Sequence, residues 1–98
     1  MDMAHKPKKK FDWKKFKGNA MMCVHCQTEK EAIEFCRLMH EHGLKWGCFN
    51  RPSYLTKTNY GNYKEMTCYY GSGQYGDLEW ANYNGDIICK FSAYDFSD

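Results

Sequence analysis

The sequence predicts an α+β fold, in which a small, mainly antiparallel sheet carries one principal amphipathic helix. Three observations support this prediction. Residues 28–43 have helical periodicity between capping residues, a short apolar run before them is typical of a strand, and the second half alternates short aromatic or β-branched runs with turn-forming residues. A chain of 98 residues suits one core. We therefore expect a single compact α+β domain at residues 11–98, after a basic leader at residues 1–10.

The first elements of the domain are expected to lead into a strand. Phe11, Trp13 and Phe16 lie among charged residues, which predicts a short helical turn or a strand lead-in that ends at Gly18-Asn19. Its aromatic rings should cover one edge of the core. The next run, "AMMCVHC", is typical of a strand.

The segment "QTEKEAIEFCRLMHEHG" predicts the principal helix. Thr28 suits the N-cap, and Glu31 follows three residues later in the capping-box arrangement, where each side chain satisfies a backbone N–H of the other residue. Gly43 can adopt the left-handed conformation that ends a helix. The apolar stripe expected to face the sheet is Ala32, Ile33, Phe35, Cys36 and Met39.

Four runs in the second half predict strands and hairpins: "LKWGCF", "MTCYYGSG", "LEWANYNG" and "DIICKFSAYDF". Asn84-Gly85 tolerates the positive φ angles of a tight hairpin. The run "GSGQYGD" predicts a hairpin turn and not a dinucleotide-binding loop, because no amphipathic helix is expected after it. The intervening "NRPSYLTKTNYGNYKE" predicts a loop or a short extended segment.

The cysteines and histidines of residues 23–42 leave three interpretations open. A structural zinc site would take four ligands: Cys23, Cys26, Cys36 and His40. Against it, Cys23 and Cys26 point to opposite faces of a continuous strand. A thioredoxin-like redox site would use the same two cysteines, but the capped helix begins too late to activate Cys23. The favoured interpretation makes the cysteines small core residues, so no metal and no cofactor is expected.

The chain carries no motif of an enzyme or a membrane protein. There is no Gly-rich phosphate loop of the G-x-x-x-x-G-K type, and one sequence cannot establish a Cys–His catalytic pair. No apolar run approaches the roughly 18–20 residues of a membrane span, and the N-terminus lacks the apolar segment of a signal peptide. We expect a non-enzymatic, soluble, cytoplasmic protein with reduced thiols.

Charge is concentrated at the N-terminus. Residues 1–17 hold seven lysines and two aspartates, a local charge of +5 in a chain of net charge +2, so the remainder carries −3. Two interpretations stay open: an arm that binds a polyanion such as nucleic acid, or a solvated and disordered tail. The candidate polyanion-binding residues are Lys8, Lys9, Lys10, Lys14 and Lys15.

Tyrosine is abundant in the second half of the chain, where all eight tyrosines lie. Most are expected to pack on the sheet. A few could line a pocket in which a base stacks while basic residues and hydroxyls hold phosphates, and the same residue types also favour a protein-binding surface. The candidate ligand-binding residues are Arg51, Tyr54, Thr56, Lys57, Thr58, Tyr60 and Lys64.

Residues 11–96 also resemble a known group of proteins. The resemblance is carried by "FDWKKFKGNAMMCVHCQTEKEAIEFCRLMHEHGLKWG", "YKEMTCYY" and "NGDIICKFSAYDF". These segments are similar to small accessory proteins from phages and mobile elements of Firmicutes. The resemblance implies a protein that acts stoichiometrically, by occluding a host defence protein or by sequestering a nucleotide signal, and it transfers no catalytic residue.

The sequence therefore favours a non-enzymatic phage-type binding protein in the cytoplasm of an infected or lysogenic bacterial host. It would counteract host defence by capturing a phosphate-bearing ligand, either a nucleotide signal or a nucleic acid. The alternative is a stoichiometric, anti-CRISPR-like inhibitor that binds a host defence effector, and a lesser alternative is a zinc-stabilised small module. Edge strands could pair between chains, which leaves a homo-oligomer open.

Overall fold

The computed structural model describes residues 8–44 and 57–97, and it confirms the predicted α+β class. The helices are α1 (Trp13–Gly18), α2 (Glu29–Glu41), α3 (Tyr60–Tyr63) and α4 (Leu78–Asn84). The strands are β1 (Lys9–Lys10), β2 (Met22–Cys26), β3 (Thr67–Tyr70), β4 (Tyr75–Asp77), β5 (Ile87–Lys90) and β6 (Tyr94–Asp95). Short 3₁₀ helices occupy Lys64–Met66 and Phe91–Ala93. Within the described ranges, no helix combines the length and the apolar character needed to cross a membrane.

The main sheet has four strands in the order β4-β3-β2-β5. Strand β3 is antiparallel to both β4 and β2, whereas β5 is parallel to β2. The sheet is therefore mainly antiparallel, as predicted. Strands β1 and β6 form a separate two-stranded parallel ladder, in which Lys9 lies opposite Tyr94.

Strand β2 lies inside the sheet and is covered on both faces. Met22, Val24 and Cys26 belong to the larger core cluster, together with the aromatic residues of α1 and α2. Cys23 belongs to a smaller cluster, which includes Ala81 of α4. The sheet therefore lies between α1 and α2 on one side and α4 on the other, and the principal predicted helix has a second helix opposite it.

Helix α2 begins and ends at the predicted residues. Thr28 Oγ1 accepts a hydrogen bond from the backbone N–H of Glu31 at 3.1 Å. The Glu31 carboxylate accepts from the N–H of Gln27 at 2.9 Å, one residue earlier than a capping box requires. Gly43 follows the helix with a φ of 78°. Within the predicted stripe only Ile33 is misplaced, because it is 56% exposed while the other four residues are buried.

The aromatic residues of the N-terminal segment cover one edge of the larger core, as predicted. Phe16 is fully buried, and Phe11 and Trp13 are nearly so. Trp13 donates its Nε1–H to the carbonyl oxygen of Phe96 at 3.0 Å. This bond joins α1 to the C-terminal segment, which packs in the same cluster.

The prediction of a strand and a hairpin at "LEWANYNG" is wrong, because this segment forms α4. Asp77 caps the helix, with its Oδ1 accepting from the N–H of Glu79 at 2.9 Å. Gly85 has the positive φ that was expected of it, 76°, but it ends a helix and does not form a hairpin. Helix α4 also follows the "GSGQYGD" turn, where the sequence predicts no helix. The two caps and the burial of Ala81 outweigh the strand preference of the aromatic residues.

The remaining predictions for the second half have mixed outcomes. "MTCYYGSG" contains β3, and "GSGQYGD" forms the turn between the antiparallel strands β3 and β4, as predicted. The last apolar run is divided into β5, a 3₁₀ helix and β6. The described part of the predicted loop forms α3 and the start of a 3₁₀ helix. Residues 45–56 lie outside the described ranges, with most of the predicted "LKWGCF" strand.

Replacing Gly71 by alanine should destabilise the fold. A Cβ at this position would lie 2.0 Å from the backbone carbonyl oxygen of Phe16, so α1 and the β3–β4 turn would have to separate. Overpacking of this kind costs on the order of 1–3 kcal/mol. We expect the free energy of unfolding, measured by urea denaturation, to fall by about that amount.

Gly61→Ala is the matched control for this substitution. Gly61 lies in α3, and no atom outside its own neighbourhood lies within 4 Å of a Cβ placed there. Alanine at this position should change the free energy of unfolding by less than about 1 kcal/mol. Equal losses in the two variants would contradict the close contact between Gly71 and Phe16.

Candidate functional site

A groove of about 600 Å³ opens beside the β3–β4 hairpin and α4. Its walls combine four aromatic side chains with two carboxylates: Tyr63, Tyr70, Tyr75, Trp80, Asp77 and Asp86. We call it the aromatic groove. Among the residues that the structure describes, no lysine, arginine or histidine lines it. The groove therefore has an apolar, π-rich wall and a negative formal charge.

Local sequence explains why these side chains meet. The turn after β3 is closed by the N–H of Tyr70, which donates to the carbonyl oxygen of Gln74 at 2.9 Å, and Gly73 supplies a positive φ of 89°. Strand β4 then runs back along β3 and ends at Asp77, which caps α4. The hairpin and the helix cap thus bring aromatic and acidic side chains to one edge of the sheet.

Asp86 is held in place by two hydrogen bonds. The Tyr70 hydroxyl donates to Asp86 Oδ2 at 2.5 Å, and the Asn84 amide donates to Oδ1 at 2.8 Å. Burial, followed by the bond to Asp86, raises the pKa of Tyr70, so the phenol stays protonated and keeps its role as donor. The carboxylate is half-buried, and its orientation is fixed from the protein side.

The tyrosines of the groove are also positioned by contacts within the protein. Asn62 donates its amide N–H to the Tyr75 hydroxyl at 2.7 Å. The rings of Tyr63 and Tyr75 lie 5.9 Å apart between centroids, in a tilted arrangement. Tyr70 is 5% exposed, while Trp80 is 55% exposed. The groove therefore has a fixed inner wall and an accessible indole at its rim.

Exposed apolar side chains line part of this groove. Within the described ranges, three of the six large ones are among its lining residues: Met21, Tyr63 and Trp80. Tyr83 stands three residues after Trp80 on α4 and is 91% exposed. Ile87 lies opposite Met22 and two residues before Cys89, so the alternation along β5 places it on the sheet face that α1 and α2 cover. Ile33 belongs to α2.

The predicted ligand-binding residues lie elsewhere, as far as the structure describes them. Lys57 and Lys64 are exposed. The Tyr60 hydroxyl donates to the carbonyl oxygen of Gln27 at 2.8 Å, and the carbonyl oxygen of Thr58 accepts from the Tyr69 hydroxyl at 2.6 Å. These contacts join α3 to the β2–α2 connection and the segment before α3 to β3. The other three predicted residues lie outside the described ranges: Arg51, Tyr54 and Thr56.

The five predicted polyanion-binding lysines all lie exposed at the start of the described chain. We call Lys8, Lys9, Lys10, Lys14 and Lys15 the lysine segment. Lys9 and Lys10, the last residues of the predicted leader, form β1 and pair with β6. Hydrogen bonds from Ser97, and then the charges of Lys10 and Lys8, lower the pKa of Asp95. The lysine segment thus has regular structure from Lys9 onward, and Asp95 of β6 lies beside it.

The proposed zinc ligands do not converge. Cys23 and Cys26 belong to the clusters on opposite faces of the sheet, as the alternation along β2 predicts. Within the described ranges, no three His, Cys, Asp or Glu side chains are grouped so that they could hold a metal ion. Burial raises the pKa of the Cys36 thiol to about 12 and also raises the pKa of Cys26. Both side chains are fully buried, which is the behaviour of core residues.

Sequence reasoning missed the carboxylates of the groove. Asp77 precedes an apolar pair at positions 78 and 81, spaced as on one face of a helix, and Gly85 follows four residues later. These signals could have identified the helix and its acidic N-cap. Asp86 gives no local signal, because its role depends on a hydrogen bond to Tyr70, sixteen residues away.

No family model matches the chain, and the searches of curated proteins and of solved structures gave no match. What the aromatic groove binds must therefore be inferred from its own geometry and chemistry.

The core thiols should resist alkylation in the folded protein. An ordinary thiol reacts with iodoacetamide faster as the pH rises toward its pKa. Cys26 and Cys36 should instead stay unmodified between about pH 7 and about pH 9, because each is neutral in the folded state and has no access to the reagent. Peptide mass spectrometry after timed labelling would measure this.

Labelling in concentrated urea is the control, since there every thiol should react at the rate of a free cysteine. Rapid modification of Cys36 without urea would contradict its assignment to the core. It would also reopen a chemical role for the cysteines of β2 and α2.

Proposed function

We propose that the protein is a non-enzymatic binding protein whose partner is another protein, docked over the aromatic groove. One observation carries this proposal: three of the six large apolar side chains exposed in the described ranges, Met21, Tyr63 and Trp80, line a single groove. Scattered exposed apolar residues are ordinary, but a contiguous group of them marks an interaction surface. This choice favours the protein-binding alternative over capture of a phosphate-bearing ligand.

The types of residue in the group support a protein partner. Tryptophan and tyrosine are enriched at interface hot spots, because a large rigid ring buries much area at a low entropic cost. Trp80 and Tyr83 project from the same short helix, and Met21 supplies an adaptable apolar contact. Polar side chains such as Ser72, Gln74 and Asn84 also line the groove and can supply directional hydrogen bonds.

The charge of the groove argues against a phosphate-bearing ligand at this place. Asp77 and Asp86 would repel phosphate oxygens, and the lining residues that the structure describes include no cation to offset them. Lys57 and Lys64 are not among those residues. A protein surface, whose charge can be complementary, is the better match.

The proposal also assigns no catalytic role to the groove. Ser72 is the only serine, threonine or cysteine among the described residues that line it. A serine nucleophile needs an adjacent base such as histidine or lysine, and neither is among the described residues that line the groove. Binding is therefore the simpler use of this surface.

The resemblance to phage accessory proteins suggests who the partner is. In that context the partner would be a host defence effector, and the protein would act by stoichiometric occlusion. A stable interface buries about 800 Å² on each partner, so the partner would have to extend beyond the groove itself.

Photo-crosslinking inside the cell tests this proposal. A photoreactive amino acid placed at Trp80 or at Tyr83 should yield one adduct of defined mass, since both positions would lie under the partner. Once the partner is identified, Trp80→Ala should weaken its binding by at least about 2 kcal/mol, as measured by calorimetry, because a buried tryptophan at an interface is typically a hot spot.

Lys17 is the control position, because it is exposed on α1 and lies outside the groove. The same photoreactive residue there should give no such adduct. Equal adducts at all three positions, or none at Trp80 and Tyr83, would contradict the proposal. An adduct of twice the mass of the chain would show that this surface joins two copies, and would replace the distinct partner by a homo-oligomer.

Polyanion binding by the lysine segment is a second candidate function. Five exposed lysines favour it, four of them on β1 and α1 and Lys8 directly before β1, since each lysine near a phosphate releases counterions from nucleic acid. Asp12 and Asp95 reduce the local charge but do not cancel it. This function would use a different part of the molecule from the aromatic groove.

Replacing Lys14 and Lys15 together by glutamine should weaken duplex DNA binding and its dependence on salt. If both lysines contact phosphates, the slope of log K against log salt should become shallower by roughly 1–2 units, as measured by fluorescence anisotropy. The matched control is Lys30→Gln with Lys90→Gln, which removes the same charge from exposed positions on α2 and β5. Equal changes in the two double variants would indicate an effect of net charge alone.

A further inference from the structure

The carboxylates of the aromatic groove indicate what the partner must present. Asp86 accepts one hydrogen bond on each oxygen, from Tyr70 on Oδ2 and from Asn84 on Oδ1. An ionised carboxylate can accept about four hydrogen bonds, so each oxygen keeps one lone pair for a ligand. A fixed carboxylate that can accept one further bond on each oxygen suits a donor that offers two N–H groups.

The aromatic walls favour a flat cation as that donor. Trp80, Tyr63 and Tyr75 line the groove with the carboxylates, and an aromatic face attracts a cation lying over it. Guanidinium is planar, stacks on aromatic rings and pairs with a carboxylate through two parallel N–H donors. Ammonium is a compact point charge that is more strongly hydrated, so it gains less from this arrangement.

Preorganisation strengthens the case for a ligand of this kind. The bonds from Tyr70 and Asn84 fix Asp86 before a ligand arrives, so little side-chain freedom is lost on binding. Asp77 is likewise held as the cap of α4 and adds negative charge to the same groove. The volume of about 600 Å³ also leaves room for residues that flank the cation.

We infer that the aromatic groove receives an arginine side chain of the partner protein, with its guanidinium paired to Asp86 and stacked on the aromatic wall. This inference rests on the proposed protein-binding function. It names the chemistry of the contact that the partner must make, and it explains why an apolar groove contains two acidic residues.

Titration with short peptides tests the inference directly. The probes are acetyl-Ala-Arg-Ala-amide and the same tripeptide with citrulline, glutamate or lysine in place of arginine. Citrulline has nearly the same shape as arginine but no charge. The arginine probe should shift the NMR signals of the Trp80 indole and of the amides of β4. The citrulline and glutamate tripeptides should leave them nearly unchanged, and a lysine tripeptide should bind more weakly than the arginine probe.

Asp86→Asn is the decisive variant. The asparagine oxygen can still accept from the Tyr70 hydroxyl, and the exposed Asn84 amide can turn its oxygen toward the new NH₂ group, so the fold should be retained while the charge is lost. We expect the affinity for the arginine tripeptide to fall by about tenfold or more, since a paired charge loses its partner. The same NMR spectra report whether the variant is folded.

Asp12→Asn is the matched control. Asp12 caps α1 as Asp77 caps α4, but it does not line the groove. This substitution should leave arginine binding unchanged, whereas Asp77→Asn, which keeps a capping side chain, should weaken it by less than Asp86→Asn. Equal weakening by Asp12→Asn and Asp86→Asn would overturn the assignment of the site.

The remaining outcomes separate this inference from the proposed function. Equal shifts with arginine and citrulline, shifts confined to another surface, or no shifts would overturn the arginine contact. Crosslinks from Trp80 and Tyr83 to a partner would leave the protein-binding function standing in that case. Equal affinity of the lysine and arginine tripeptides would overturn the choice of guanidinium. Crosslinks to Arg37 or Arg51 of a second copy would overturn the assignment of the arginine to a different protein.

Discussion

Burial of β2 on both faces is the constraint on which the rest of the structure depends. A strand with two covered faces needs an apolar layer on each side. The helices supply these layers with side chains of different size. Helix α2 and the N-terminal aromatic residues cover one face with large rings, whereas α4 covers the other with Ala81. Small residues such as Cys23 and Cys68 match that second, thinner layer. These two cysteines are thus explained by the space available between the sheet and α4, whereas Cys26, Cys36 and Cys89 belong to the larger cluster.

The same constraint builds the groove. Because α4 is short and packs through Ala81 and the partly buried Leu78, Trp80 and Tyr83 remain outside the core. The chain enters the helix from the edge strand β4 and leaves it toward β5, which lies at the opposite edge of the sheet. Residues from both edges therefore contribute to one concave surface. The groove is the space that a small helix leaves when it covers a wider sheet.

Local signals predicted the parts of the fold that local physics determines. Helix α2 has a capping threonine, a terminal glycine and a long apolar stripe, and β2 has a dense apolar run, so both were identifiable. Helix α4 was not, because a helix of seven residues depends on packing for its stability, and its aromatic residues favour a strand when considered alone. The parallel pairing of β2 with β5 joins residues more than sixty positions apart and leaves no trace in either segment. The groove could not be predicted from the sequence for the same reason, because the bond between Tyr70 and Asp86 forms only once α4 and β5 are in place.

The ladder of β1 and β6 gives the chain a mechanical property. The two strands run in the same direction, so the chain before β1 and the chain after β6 leave the ladder at opposite ends. A force that pulls the two ends of the protein apart would slide these strands along each other. The ladder, the bond from the Phe11 N–H to the Asp95 carbonyl and the bond from Trp13 to Phe96 would then bear the load together. Bonds loaded in parallel resist more than bonds that open one at a time, so Lys9 and Lys10 are anchored against a pull along the chain.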